Sequence, residues 1–163
     1  VRGVLEHGLD AAFVSEPVTA GGLERFAAFR EELVLVTPAG HAPVHSPRDV
    51  AGLSLLVFGH GCAYRKRLED WASQGGAPLG RVVELASYQA MIGCAASGMG
   101  VAIMPRSVTD ILPGASGIAV HALPPEIALA GTSLVWRAGC ATGPVKALIG
   151  LLREREEETT DAA

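Results

Sequence analysis

The feature that most constrains the fold is a run of short apolar segments alternating with helical segments, which begins at Leu53. Residues 53–58 are almost continuously apolar, which is typical of a strand covered on both faces. Strands are predicted at 53–58, 81–85 and 99–104, and helices at 63–74 and 87–97. Ser87 is predicted to cap the second helix. This alternation indicates an α/β sheet with helices on both faces.

The segments on either side of this run are less regular. Further strands are predicted at 10–14, 33–36, 118–123 and 133–136, and helices at 1–7, 107–112 and 144–158, with a helical turn at 47–50. Residues 23–30 fit neither pattern clearly. The acidic end, residues 156–163, is expected to fray.

The composition is that of a folded domain without a surface for nucleic acid. Of the 163 residues, 49% are hydrophobic and 18% are charged, and the net charge is −4. The run Arg65-Lys66-Arg67 is the best candidate for phosphate contacts, but Glu69 and Asp70 nearby favour a solvated, ion-paired helix face. We therefore expect no direct DNA binding by this chain.

The cysteines and the hydropathy pattern bear on the compartment. Cys62, Cys94 and Cys140 are odd in number and lack a CxxC spacing, so free thiols are favoured over a disulfide framework or a zinc site. No apolar stretch approaches the roughly 20 residues that span a membrane, and no signal peptide is visible. We expect a cytoplasmic protein without membrane contact.

Two predicted strand-to-helix junctions could hold a ligand. Gly61, Cys62 and Tyr64 follow one strand, and Ser87 and Tyr88 follow the next. Open α/β sheets bind ligands at the carboxyl ends of their strands, where the unpaired N–H groups of a helix start attract anions. A carboxylate or a similar anion could therefore bind here. Ordinary turn glycines and an ordinary serine cap would explain either junction taken alone.

Signals for catalysis are weak. Cys94 lies in an apolar helix and is expected to be a small core residue. Cys62 stands at a helix start beside His60, where a reactive thiol and a plain half-buried thiol both stay open, with the plain thiol favoured. The five histidines show no metal spacing, and the chain has no Gly-Lys-Ser/Thr phosphate loop. We predict no catalytic residues, no metal and no cofactor.

The order of several segments resembles the effector-binding domain of LysR-type transcriptional regulators. The most specific stretch is Ala-Ala-Ser-Gly-Met-Gly-Val-Ala-Ile-Met-Pro at 95–105. The others, in chain order, are residues 8–14, 32–36, 40–43, 56–58, 61–62, 64–65, 68–69, 71, 87–88 and 134–136.

This resemblance implies a two-lobed, type II periplasmic-binding-protein-like fold with Rossmann-like α/β lobes and a ligand cleft between them. Lobe I would hold residues 1–44 and 129–163, and lobe II residues 45–128. Connections near 38–47 and 124–131 would form the hinge. Lobe I is expected to be incomplete at its N-terminus, because family members carry further elements before the position of Val1.

The implied function is sensing rather than catalysis. The domain would bind a small, anionic effector and thereby control transcription, and the full-length regulator would be a dimer or tetramer that contacts DNA through a helix-turn-helix absent from this chain. A transporter's solute-binding protein of the same fold is the alternative, and an enzyme on this scaffold is a third. The effector-binding residues would be Ser15, Gly61, Cys62, Tyr64, Ser87 and Tyr88.

Overall fold

The computed structural model describes residues 1–76, 80–112 and 117–161, with the side chains of the last helix described as far as Arg155. It divides the chain into two compact units. The terminal unit comprises Val1–Arg30 and Gly131–Ala163, and the central unit comprises Glu31–Ala130.

The chain passes between the units twice, each time inside a strand. The first passage, at Arg30–Glu31, lies within β2 (Leu23–Pro38), and the second, at Ala130–Gly131, lies within β7 (Leu129–Arg137). The hinge connections expected near 38–47 and 124–131, and the lobe bounds built on them, stay predictions.

The central unit is built on strands paired in the order β4, β3, β5, β2, β6. In this unit the end of β2 is joined by β3 (Ser54–Val57), β4 (Val82–Glu84), β5 (Gly100–Pro105) and β6 (Ile118–Ala122). β3 is parallel to both β4 and β5, whereas β2 is antiparallel to β5 and β6. The helices are α2 (Ala63–Gln74), α3 (Tyr88–Ala96), α4 (Arg106–Ile111) and α5 (Pro125–Ala128), with a 3₁₀ turn at Pro47–Val50.

Side chains on the two faces of this sheet enter separate apolar cores. Leu33 and Leu35 of β2 join one core, which includes Leu68 and Trp71 of α2. Val34 and Val36 join the other, with Met91 and Ile92 of α3. Successive residues of a strand point to opposite faces of the sheet, so alternate side chains of β2 pack into different cores. The predicted sheet with helices on both faces is confirmed.

The terminal unit combines α1 (Arg2–Leu5), β1 (Ala11–Ser15), the start of β2, β7 and α6 (Gly143–Asp161). β1 pairs antiparallel with β7 in a register that sets Ser15 opposite Thr132. Trp136 of β7 is buried and donates its indole N–H to Glu24 at 2.9 Å. Leu134, Val145 and Leu152 complete the apolar cluster around it. None of the described helices in either unit is long and apolar enough to cross a membrane.

Most predicted elements are confirmed, and the exceptions have local causes. α2 has its predicted bounds, and Ser87 caps α3 as expected. α5 was not predicted, because Pro124 and Pro125 read as a connection although proline also suits a first helical turn. α6 extends to Asp161, three residues beyond its predicted end at residue 158. The fraying expected of the acidic end stays a prediction. Residues 162 and 163 lie outside the described chain.

Candidate functional site

The junction between β3 and α2 has an open backbone. Gly61 has a φ of +91°, a left-handed conformation that favours glycine, and its Cα faces open space. Cys62 is the N-cap of α2 and makes no capping hydrogen bond with its side chain. The first N–H groups of a helix have no intrahelical partner, so those of α2 are left without a side-chain acceptor at the cap. This helix start has the properties of an anion site.

The second junction, between β4 and α3, is capped. Ser87 Oγ accepts the N–H of Ala90 at 3.2 Å. Tyr88 follows as the first helical residue, and its ring meets that of Phe58 edge to face, with centroids 5.0 Å apart. Because the Ser87 oxygen already accepts a hydrogen bond from one N–H group, the start of α3 leaves fewer N–H groups for a ligand than the start of α2.

Four side chains interact near the start of α2. The Tyr64 hydroxyl donates a hydrogen bond of 2.5 Å to Glu31 Oε2. Burial, followed by this bond and by the charges of Glu31, Tyr88 and Cys62, raises the Tyr64 pKa well above its usual range. Burial, with the charges of Glu31 and Cys62, raises the pKa of Tyr88 to about 12. Both phenols therefore stay protonated hydrogen-bond donors at neutral pH.

The basic run on α2 is engaged in ion pairs and carbonyl contacts. Arg65 contacts Glu69 at 2.8 Å and Glu84 at 3.1 Å, and only 11% of its side chain is exposed. Lys66 pairs with Asp70 at 2.6 Å, and Arg67 donates to the Ile127 carbonyl at 3.0 Å. The predicted ion pairing is confirmed. The expected solvated face is confirmed for Lys66, which is exposed, but it is wrong for Arg65. The Arg65 guanidinium lies against the end of β3 and donates to the Phe58 carbonyl at 3.3 Å.

The structure gathers some of the predicted site residues. Cys62, Tyr64 and Tyr88 lie close enough to interact electrostatically, Gly61 precedes them, and Ser87 acts as a helix cap. Ser15 ends β1 in the terminal unit. Its approach to the other five, and an effector-binding role for all six, stay predictions.

Glu31 is the site residue that sequence reasoning missed. It lies 33 positions before Tyr64, on a strand whose pairing the sequence does not reveal. Its only local signal is a charged residue at the edge of an apolar strand, a pattern that its neighbour Glu32 shares.

The described residues show no metal site: residues 1–76, 80–112 and 117–161 hold no group of three or more His, Cys, Asp or Glu placed to bind a cation. All three cysteines are free thiols, with Cys140 exposed and Cys62 and Cys94 partly buried. Cys94 packs against the core on the α3 face, as expected for a small core residue.

Comparison with known proteins gives a consistent result. Residues 1–157 match the family described as "LysR substrate binding domain". The chain is 31% identical over 137 residues to the HTH-type transcriptional regulator GltR of Bacillus subtilis (strain 168), covering 84% of this chain and 46% of GltR. A second relative, YofA of Bacillus velezensis, is 30% identical over 138 residues, covering 85% of this chain and 47% of YofA. The chain thus spans about half the length of these curated relatives.

Solved structures share the fold at low sequence identity. The regulatory domain of Synechocystis PCC6803 CcmR, in complex with 2-PG, is similar with a TM-score of 0.75 at 15% identity, covering 93% of this chain and 75% of that one. The sulfate-bound regulatory domain of a Vibrio vulnificus OxyR2 variant has a TM-score of 0.73 at 16% identity, covering 93% and 74%. These findings confirm the LysR-type resemblance, the two-lobed type II fold class and the expectation of a regulatory domain rather than an enzyme.

Proposed function

Because this chain belongs to the LysR substrate-binding domain family, we propose that it senses a small organic effector on behalf of a larger transcriptional regulator. LysR-type regulators bind small-molecule effectors and oligomerise. The whole protein would be a cytoplasmic dimer or tetramer that contacts DNA through a helix-turn-helix outside this chain. No finding favours the alternative of a transporter's solute-binding protein.

The effector would carry an anionic group that binds at the start of α2. The observation that carries this proposal is the side-chain-uncapped helix start after Cys62, preceded by the open left-handed turn at Gly61. The partial positive charge of unpaired N–H groups favours an anion there. The OxyR2 neighbour is a sulfate-bound domain, so one protein of this fold does bind an anion.

The proposed contacts have different roles. Backbone N–H groups after Gly61 and Cys62 would bind the anion, and the protonated Tyr88 hydroxyl would donate to a polar group of the effector. The Tyr64 hydroxyl, whose single proton goes to Glu31, would accept a hydrogen bond from the effector. Ser87 would bound the site beside Tyr88. Ser15 would contribute from lobe I, taken as residues 1–44 and 129–163, while the other residues belong to lobe II, residues 45–128. Effector binding would shift the population towards the conformation that binds the effector more tightly.

A thermal-shift screen of small organic acids tests this function. Wild type should gain stability with at least one acid, since a ligand that binds only the folded state raises the melting temperature. Ser87→Trp should lose the response, because the indole would fill the site, while losing a helix cap costs only about 1 kcal/mol. Circular dichroism should show that the variant stays folded.

Ser97→Trp is the matched control, because Ser97 is exposed at the opposite end of the same helix. It should respond like wild type. The proposal fails if no acid stabilises the wild-type chain, or if Ser87→Trp keeps the full response.

A further inference from the structure

The candidate site contains a carboxylate that an anion sensor would not be expected to hold. Glu31 receives the Tyr64 hydroxyl at 2.5 Å, and its charge acts on Tyr88 as well. Glu31 therefore lies within electrostatic range of Tyr64 and Tyr88, two of the side chains that the proposed anion site includes. Like charges at short range repel each other, and a partly buried setting weakens the screening by water.

The cations of α2 do not offset this charge. Arg65 is committed to Glu69 and Glu84, and Lys66 is committed to Asp70. Arg67 donates to the backbone carbonyls of Glu126 and Ile127. An effector that carried only negative charge would thus be attracted by the start of α2 and repelled by Glu31.

Glu31 also has capacity for a further partner. A carboxylate offers about four lone-pair positions, and the Tyr64 hydroxyl occupies one of them. Glu31 is partly exposed, so it is not closed off by packing. Because the Tyr64 bond fixes one carboxylate oxygen, the group is oriented before a ligand arrives, which reduces the entropy that binding costs.

We propose that Glu31 is a specificity-determining residue, and that the effector carries a hydrogen-bond donor, best an ammonium group, beside its anionic group. This inference rests on the proposed effector-sensing function. An ammonium group would bind Glu31 most strongly, because it forms a charge-assisted hydrogen bond and cancels the repulsion between Glu31 and the anionic group. A hydroxyl group would bind Glu31 more weakly, and an acid without a hydrogen-bond donor would not bind Glu31 at all.

Matched trios of acids provide the test. Each trio has three to five carbons and contains the unsubstituted acid, its 2-hydroxy form and its 2-amino form, in mono- and dicarboxylic series. Dissociation constants are measured by calorimetry for wild type, Glu31→Gln and Glu32→Gln. The Glu31→Gln change keeps an oxygen acceptor for Tyr64 and removes only the charge, so the fold is retained.

Glu32→Gln is the matched control. Glu32 is the next residue of β2, on the opposite face of the strand, and it forms a bidentate ion pair with Arg106 at 2.7 and 2.8 Å. The Glu32→Gln change removes a negative charge from the same strand and leaves the hydrogen bond between Glu31 and Tyr64 in place.

The expected result in wild type is that the 2-amino acid of the binding trio is preferred about tenfold over the unsubstituted acid. Glu31→Gln should reduce that preference to about twofold or less, and Glu32→Gln should leave it unchanged. The inference is overturned if wild type binds the unsubstituted acid as tightly, or if Glu31→Gln keeps the preference. Those results leave the proposed function standing when Ser87→Trp still abolishes binding. Failure of every acid in every trio contradicts the proposed function, and this inference with it.

Discussion

His121 Nε2 lies 2.8 Å from Thr37 Oγ1. The other ring nitrogen, Nδ1, accepts the backbone N–H of Val44 at 3.3 Å. A backbone N–H can only donate, so Nδ1 carries no proton, and the neutral ring bears its proton on Nε2 towards the fully buried Thr37. One imidazole thus joins β2, β6 and the connection that follows β2.

This geometry gives the stability of the fold a pH dependence. Burial, together with the charges of His41 and His45, lowers the pKa of His121. A lowered pKa means that the unfolded chain binds the proton more readily, so His121 contributes stability above about pH 6.5 and loses it as pH falls through the folded-state pKa. We expect the free energy of unfolding, measured by urea denaturation, to fall between about pH 7.5 and about pH 5.

His121→Asn should flatten this dependence. The amide oxygen can accept the Val44 N–H at every pH, although the lost Thr37 contact costs about 1 kcal/mol. His7→Asn is the control, because His7 is an exposed histidine with a φ of +64°, which asparagine tolerates. An unchanged slope in His121→Asn, or an equal flattening in His7→Asn, would refute the assignment.

The two helix starts should respond differently to truncation of their N-cap residues. Ser87→Ala removes the acceptor for the Ala90 N–H and should lower the free energy of unfolding by about 1 kcal/mol. Cys62→Ala removes no capping bond, so only its packing is lost, and the effect should be smaller. Chemical denaturation of both variants measures the difference, and equal losses would contradict the contrast between a capped and an uncapped helix.

Local signals explain which parts of the fold were predictable. The bounds of α2 follow from the glycine pair at 75 and 76, and the start of α3 follows from a serine that caps its own helix. Each of these signals acts within a few residues. The early part of β2, residues 23–30, was not assigned, because its mixed polar and aromatic pattern becomes a strand only through pairing with a distant segment.

Only the residues of the candidate site that follow strand ends could be predicted from the sequence. Gly61, Cys62, Ser87 and Tyr88 follow strand ends, so topology alone brings them to one edge of the sheet. Glu31 and its bond to Tyr64 depend on how β2 lies against α2, a contact between residues 33 positions apart. The Thr37–His121 pair, whose residues are 84 positions apart, could not be predicted from the sequence for the same reason.

The chain by itself should bind DNA weakly. It has 13 Lys and Arg against 17 Asp and Glu, and the basic run of α2 is committed to internal partners. Phosphate neutralisation supplies most non-specific affinity, so we expect a dissociation constant above about 10⁻⁶ M at physiological salt. A gel-shift titration with residues 1–163 measures this, and tighter, salt-sensitive binding would contradict it.

Two glycine substitutions should have opposite effects on stability. Gly100 begins β5 beside Ser54 of β3, and a Cβ at this position would lie 2.2 Å from the Ser54 carbonyl oxygen. Gly100→Ala must therefore separate two central strands and should cost about 3 kcal/mol. Gly93 lies inside α3, and no neighbouring side chain or strand comes within 4 Å of the position that a Cβ would take, so Gly93→Ala should stabilise the helix by about 0.5–1 kcal/mol. Thermal and urea unfolding of both variants give the signs, and a tolerated Gly100→Ala would show that β3 and β5 are not packed as described.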